Sequence, residues 1–118
     1  MGYESRLYVV SENDIGNDVW AEEIVTLDMC CCPGLREVFT EEARGYILGN
    51  DEEVTHIRKD AYDSPIMSAD LEDVEQFLRG IYRKEHYWRA KVGADLMKSL
   101  RETKYKTRDC FKVYHYGY

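Results

Sequence analysis

Four cysteines are the side chains most able to bind a metal or attack a substrate. Three of them, Cys30, Cys31 and Cys32, are consecutive, and the fourth is Cys110. On a strand, Cys30 and Cys32 would share one face, and Cys110 with His115 would complete a zinc set if the C-terminal segment lay beside them. Zinc modules place two to four residues between paired cysteines, so buried thiols that pack as small apolar side chains are the simpler interpretation. We predict no bound metal and no catalytic cysteine.

The histidines and carboxylates form no recognisable catalytic pattern. His56, His86 and His115 are dispersed, and the chain contains no phosphate-binding loop, dinucleotide fingerprint or nucleophile elbow. Acidic residues are so frequent that no single pair stands out as an acid–base dyad. We therefore expect a protein that is not an enzyme and that carries no cofactor.

Aromatic and basic side chains alternate near the C-terminus. The chain has 10 tyrosines, and several of the last ones are interleaved with lysine and arginine. This mixture suits stacking on a nucleotide base while a cation holds the phosphate. It equally suits a protein–protein hot spot or a plain tyrosine-rich strand. The candidate ligand-binding residues are Arg108, Lys112, Tyr114, His115 and Tyr116.

Charge is strongly polarised along the chain. Residues 1–78 contain 5 Lys/Arg and 19 Asp/Glu, whereas residues 79–118 contain 11 and 4. The two parts can neutralise each other across the fold, or each can present a face to a partner. An acidic face suits a protein that occupies a nucleic-acid groove in place of the nucleic acid. The candidate acidic face comprises Glu41, Glu42, Asp51, Glu52 and Glu53.

Residues 68–82, with the sequence SADLEDVEQFLRGIY, predict the helix around which the other elements are organised. Apolar residues recur there at steps of three and four, which is typical of an amphipathic helix packed on a sheet. We expect Ser68 or Asp70 to be the N-cap. The polar residues predicted to face away from the core are Glu72, Asp73, Glu75, Gln76 and Arg79.

A second helix is predicted after residue 86. Its apolar residues Trp88, Val92, Leu96 and Leu100 are spaced by four, as on one helix face. Small residues lie between them, and we expect these to allow a close approach to the first helix: Ala90, Gly93 and Ala94.

Strands are predicted on both sides of these helices. Alternating or β-branched residues indicate strands at 5–10, 20–28 and 110–118, and a hairpin at 46–48 and 53–57. Turns are expected at 11–18 and 59–65, and residues 35–40 fit either a helical turn or a strand. The predicted fold class is α+β, an antiparallel sheet of about four or five strands with two helices on one face. We expect residues 1–118 to form one domain.

Hydropathy and the first residues bear on location. No run approaches the ~20 apolar residues of a membrane span, and the first ten residues do not resemble a signal peptide. We therefore expect a cytoplasmic protein without a membrane partner. A flat, aromatic terminal strand can also pair with its own copy, so a homodimer is a further expectation.

Three segments resemble small proteins of unassigned function that are encoded by phages and prophages of bacteria: MGYESRLYVV, KDAYDSPI and VYHYGY. This resemblance implies an accessory factor against host defence, such as an anti-CRISPR protein, or a sponge for a defence-signalling nucleotide, acting in the bacterial host cell. No functional residue is carried over from it. The first hypothesis is a non-enzymatic inhibitor that binds a host defence protein or nucleoprotein complex through the acidic face. The alternative is a sponge that binds a nucleotide or phosphate through the C-terminal residues named above.

Overall fold

In a computed structural model of the chain, the described residues are 4–16, 18–30, 32–48, 56–57, 59–103 and 111–118. Residues 15, 46–48 and 56–57 are described by their backbone alone. Over these ranges the protein is α+β, with strands on both sides of two consecutive helices and both helices packed on one face of a sheet. The predicted fold class is confirmed.

A long antiparallel hairpin forms the centre of the fold. Strand β1 (Ser5–Ile15) pairs with β2 (Asp18–Cys30), and the last pair before the turn is Ile15 opposite Asp18. Gly16 adopts a φ of 64°, which suits glycine in a tight turn. Both strands were predicted, but β1 continues five residues beyond its predicted end. Pairing with β2 fixes this polar segment as a strand, since tertiary context overrides the weak local preference for a turn.

The C-terminal strand β7 (Phe111–Gly117) lies inside the sheet. It pairs with β1 on one side and with the short strand β6 (Met67–Ala69) on the other, both antiparallel. The strand predicted at the C-terminus is therefore confirmed, and it is an interior strand of the sheet. Both edges of β7 are paired between residues 113 and 115. These residues therefore have no free backbone edge to which the same strand of a second copy could pair.

Five antiparallel strands run in the order β3, β6, β7, β1 and β2, with β3 (Glu41–Glu42) at one edge. At the other end, β4 (Tyr46–Leu48) joins β2 in a parallel pair that involves only Trp20 and Ala21 of β2. Strand β5 (His56–Ile57) then pairs antiparallel with β4. The predicted hairpin is confirmed in its flanks, whereas its residues 49–55 lie outside the described residues. The parallel pair was not predicted.

Helix α1 (Leu71–Glu85) begins directly after Asp70, the second of the two predicted N-cap residues. Ser68 belongs to β6, where its backbone pairs with Tyr114 of β7, and it is buried. Asp70 occupies the N-cap position, but its carboxylate accepts a hydrogen bond from the Lys112 ammonium instead of a helix amide. Of the two N-cap positions predicted, Asp70 is therefore confirmed and Ser68 is not, because residues 67–69 pair with β7 as a strand.

One polar residue of α1 is buried, contrary to prediction. Glu75 is 7% exposed and accepts hydrogen bonds from Arg79 Nε at 3.0 Å and from Arg101 Nη2 of the second helix at 2.8 Å. Burial alone would raise the pKa of Glu75, but the hydrogen bonds from both guanidinium groups lower it below its ordinary value. Glu75 is thus an ionic link between the helices.

Helix α2 (Trp88–Arg101) presents its small residues to the interior. Ala90, Gly93 and Ala94 are buried, and a Cβ added at Gly93 would lie 2.9 Å from Leu78 Cδ1. The close approach of the helices is therefore confirmed. The predicted apolar stripe is wrong in its first half, since Trp88 and Val92 are 62% and 51% exposed.

The face of the sheet opposite the helices carries a second, smaller core. It is covered by the segment around Ala43 and by Ile66, which pack on strand residues of β1, β2 and β7. Its buried members are Val10, Ala21, Ala43, Ile66 and Tyr114. The sheet is therefore covered on both faces, by helices on one side and by loop segments over part of the other.

Candidate functional site

Alternation along β7 separates the candidate ligand-binding residues. Lys112, Tyr114 and Tyr116 point to the face without helices, whereas His115 points to the helix face. Arg108 lies outside the described residues. The strand therefore does not bring these side chains to a common surface.

Tyr114 is held in place by its hydroxyl group. It is 0% exposed, accepts a hydrogen bond from the Gly45 amide at 3.0 Å and donates one to the Glu12 carboxylate. Burial, followed by the hydrogen bond to Glu12, raises the pKa of this phenol well above its ordinary value. Tyr114 joins three separate segments of the fold, and its ring is not accessible for stacking on a base.

His115 lies at the base of a pocket on the helix face. Its Nε2 atom is 2.8 Å from Ser5 Oγ, and its ring packs against Phe39 with 5.1 Å between ring centroids. Burial is the main cause that lowers the pKa of His115 to about 4, with a further lowering by Arg36 and an opposing effect of Asp60. The imidazole is thus neutral at physiological pH.

The pocket above His115 has a volume of about 330 Å³. It is lined by Arg36, Phe39, Asp60, Ser64, Pro65, Met67 and His115. Asp60 is fixed there because its Oδ1 atom accepts hydrogen bonds from the backbone amides of Tyr62 and Ser64, at 2.9 and 3.0 Å. A guanidinium, a carboxylate and an aromatic wall can together bind a small, flat ligand that carries an anionic group and a hydrogen-bond donor.

Ser5, His115 and Asp60 come near one another, as residues of a nucleophilic triad do. Ser5 is only 2% exposed, however, and lies in the sheet beside the imidazole that it contacts. A triad needs a hydroxyl that a substrate can reach. The geometry therefore supports a hydrogen-bonding role for Ser5 and a binding role for the pocket.

The predicted acidic face is described only in part. Glu41 and Glu42 form the edge strand β3, and both are exposed. Asp51, Glu52 and Glu53 lie outside the described residues. Sequence reasoning therefore located one exposed acidic edge.

Further carboxylates lie toward the end of the sheet at which the β1–β2 hairpin turns: Asp14 and Asp18 beside the turn itself, and Glu12, Glu41 and Asp70 around Lys112. We call this surface the acidic end; it consists of the five carboxylates Glu12, Asp14, Asp18, Glu41 and Asp70. In the part of the chain that the structure describes, two cations lie among them. Lys112 binds Asp70, and the charges of Glu12 and Glu41 also raise its pKa, while Arg44 lies 3.8 Å from Asp14.

The acidic end is assembled by topology. Antiparallel pairing brings the end of β1, the start of β2 and the start of β7 to the same side of the sheet, and β6 leads into α1 there. Sequence reasoning missed Glu12 and Asp70 because only strand order places them near Glu41, around Lys112. It also missed Arg36 and Asp60, for which the sequence carries no signal beyond a turn near residue 60.

Cys30 and Cys32 do not share a strand face, which the zinc set considered from the sequence would have required. Strand β2 ends at Cys30, so Cys32 lies beyond it, buried in the main core. Cys31 and Cys110 lie outside the described residues. Within the part of the chain that the structure describes, no group of three or more His, Cys, Asp or Glu side chains is arranged to hold a metal ion.

Comparisons with known proteins returned no match to a family model, a curated protein or a solved structure. Neither helix among the described residues has the length and apolar character needed to span a membrane.

Proposed function

We propose that this protein is a non-enzymatic binding protein of phage origin that inhibits a host defence component through its acidic end. The observation that carries this proposal is the convergence of exposed carboxylates from separate elements. Asp14 and Asp70 have side chains that are 78% and 63% exposed, and Glu41 is exposed on the neighbouring edge strand. Among the described residues, two cations only partly offset these five carboxylates.

Such a surface favours a basic partner. Clustered carboxylates on a scaffold of strands present fixed negative charge, as the phosphates of a nucleic acid do, and they accelerate association with a positively charged groove. Defence complexes that bind nucleic acid carry grooves of that kind. The proposed partner is therefore a host defence protein or nucleoprotein complex whose nucleic-acid groove the acidic end occupies.

The test combines a panel of defence systems with a charge-matched control. Phage plating on bacteria that carry individual CRISPR–Cas or other nucleic-acid-targeting systems would be measured with and without the protein. We expect restored plating in at least one strain, and loss of this effect in the triple variant Asp14→Asn, Asp18→Asn, Glu41→Gln, which neutralises three exposed members of the acidic end.

The control variant changes the same number of charges elsewhere. Glu37, Glu85 and Glu102 are exposed carboxylates outside the acidic end, and their replacement by glutamine should leave inhibition intact. The proposal fails if no strain in the panel is protected from its own defence, or if both triple variants inhibit as well as the wild type.

A second candidate function rests on the His115 pocket. The pocket is the size of small-molecule sites, and Arg36 supplies a fork of donors for a phosphate or carboxylate. This supports the alternative of a sponge for a signalling nucleotide, although with Arg36 and Asp60 in place of the tyrosines that the sequence suggested.

Thermal unfolding with a panel of nucleoside monophosphates and cyclic nucleotides tests this second function. A ligand present at 100 times its Kd adds about 2.7 kcal/mol to the free energy of unfolding. We expect the resulting rise in Tm to disappear in Arg36→Gln and to persist in Arg44→Gln, which alters an exposed arginine of the acidic end. A panel without any Tm shift would eliminate the sponge.

A further inference from the structure

A shallow apolar groove lies between α2 and the open side of β2. It has a volume of about 330 Å³ and is lined by Thr26, Leu27, Asp28, Met29, Trp88, Arg89 and Val92. Trp88 and Val92 are mostly exposed, and Ile24 on the same strand is 42% exposed. Large apolar side chains grouped on a surface mark interaction sites more often than scattered ones do.

Among the described residues, the backbone of β2 beside this groove lies at an unpaired strand edge. Strand β4 pairs only with Trp20 and Ala21 of β2, and among the described residues no strand pairs with residues 23–27 on the side away from β1. The Asp28 carbonyl accepts a hydrogen bond from Arg89 Nη1, which shows that it faces away from β1. Because peptide groups alternate in direction along an antiparallel strand, those of Thr26 face the same open side.

The two ends of this edge are already occupied. The Met29 carbonyl accepts a hydrogen bond from the Tyr87 hydroxyl at 2.9 Å, and Arg89 covers the Asp28 carbonyl. At the other end a register shift leaves Ile24 without a partner on β1. An added strand must therefore be short and must fit between the Ile24 bulge and Asp28.

Charge selects among the strands that can add to this edge. Strand β2 contains four carboxylates, Asp18, Glu22, Glu23 and Asp28, and no lysine or arginine. A second copy would bring four more, and like charges facing each other across a strand pair are destabilising. Acidic residues and a bulge on an edge strand also discourage pairing with neutral strands. A basic strand is the complementary occupant.

We propose that residues 23–27 of β2, together with the groove beside Trp88, bind an extended basic segment of a partner protein by strand addition. Backbone hydrogen bonds to the open edge hold the segment, and alternate side chains point toward the groove. One apolar side chain packs between Trp88 and Val92, and flanking lysines or arginines lie near Glu23 and Asp28. This surface is separate from the acidic end, and the inference does not depend on the proposed function.

The test is an NMR titration with a defined probe. The ¹⁵N-labelled full chain would be titrated with a capped hexapeptide of alternating lysine and valine, and with a matched hexapeptide of alternating glutamate and valine. We expect shifts at the amides of residues 23–27 and at the Trp88 indole with the lysine peptide alone. Binding should also weaken at high salt.

Variants locate the binding site. Trp88→Ala removes the exposed anchor and should weaken binding at least tenfold, whereas Tyr62→Ala, which truncates an exposed aromatic residue elsewhere, should not. Thr26→Pro removes the outward amide and should abolish binding, while Thr26→Val should retain it. If Thr26→Pro fails to fold, the comparison of Trp88→Ala with Tyr62→Ala decides whether the peptide binds at the groove.

Several results would overturn the inference. These are the absence of shifts at millimolar lysine peptide, equal binding of the glutamate peptide, and shifts confined to the acidic end. Self-association through β2, detected by sedimentation of the free protein and abolished by Thr26→Pro, would also overturn it, because a second copy would then be the occupant. The triple variant of the acidic end should bind the lysine peptide like the wild type, so failure of one proposal is distinguishable from failure of the other.

Discussion

The hydroxyl group of Tyr114 should contribute substantially to the stability of the fold. Tyr114→Phe keeps the ring in its buried site and creates no cavity, but it removes the acceptor of the Gly45 amide and the donor to Glu12. Gly45 is buried, so its amide is left without a partner, at a cost of about 1–3 kcal/mol. Glu12 is only partly buried, so water can replace the lost hydrogen bond to its carboxylate, and this loss adds little to the free-energy cost.

Urea unfolding at neutral pH measures this effect. With an m value of about 1–3 kcal/mol per molar urea, the loss corresponds to a midpoint lower by roughly 1 M. The control is Tyr116→Phe, two residues further along the same face. The Tyr116 ring contacts Tyr8 and Tyr118, and its partly exposed hydroxyl has no hydrogen bond to another described residue.

We expect Tyr116→Phe to change the free energy of unfolding by less than about 0.5 kcal/mol. If Tyr114→Phe proved as mild as Tyr116→Phe, the view that Tyr114 holds the segment around Gly45 against the sheet would be refuted. A selective effect of Tyr114→Phe on nucleotide binding, without loss of stability, would instead return Tyr114 to the ligand-binding residues predicted from the sequence.

Three other substitutions test the remaining interactions. Glu75→Gln should destabilise the protein at neutral pH and lose this effect in acid; because the folded pKa of Glu75 is lowered, its contribution is present above pH 4.5 and vanishes as the pH falls below that value. Urea midpoints at several pH values measure this difference. Gly93→Val should separate the helices, since even a Cβ would meet the buried Leu78, and should cost about 1–3 kcal/mol; Gly80→Val, at a helix position with open space, is the control. The pKa of His115 is near 6.5 in the unfolded chain and about 4 in the folded protein, so the free energy of unfolding should fall as the pH drops from 6.5 to 4. His115→Gln should remove that part of the pH dependence, and an unchanged profile in this variant would contradict the prediction.

Local sequence patterns were sufficient for the two helices, the longer strands and the fold class. Alternation in residues 111–117 and the threefold and fourfold spacing from Leu71 onward depend only on which side chains can share an apolar face. The same logic predicted the close helix contact at Gly93. Such patterns report the periodicity of burial, which is a property of neighbouring residues.

Partners remote in sequence could not be predicted in this way. Glu75 has the spacing of an exposed residue, yet it is buried because α2 places Arg101 beside it. Trp88 and Val92 have the spacing of core residues, yet they are exposed because the small residues of α2 face the interior instead.

The sequence by itself thus determined where the two helices and the longer strands form, that the helices cover a sheet, and that negative charge predominates before residue 79. Only the tertiary structure decided which charges meet. Glu12, Glu41 and Asp70 gather at one end, and Arg36 and Asp60 converge on His115, because strand order brings together residues that are distant along the chain. Hydrophobic periodicity is local, whereas a binding surface depends on long-range pairing.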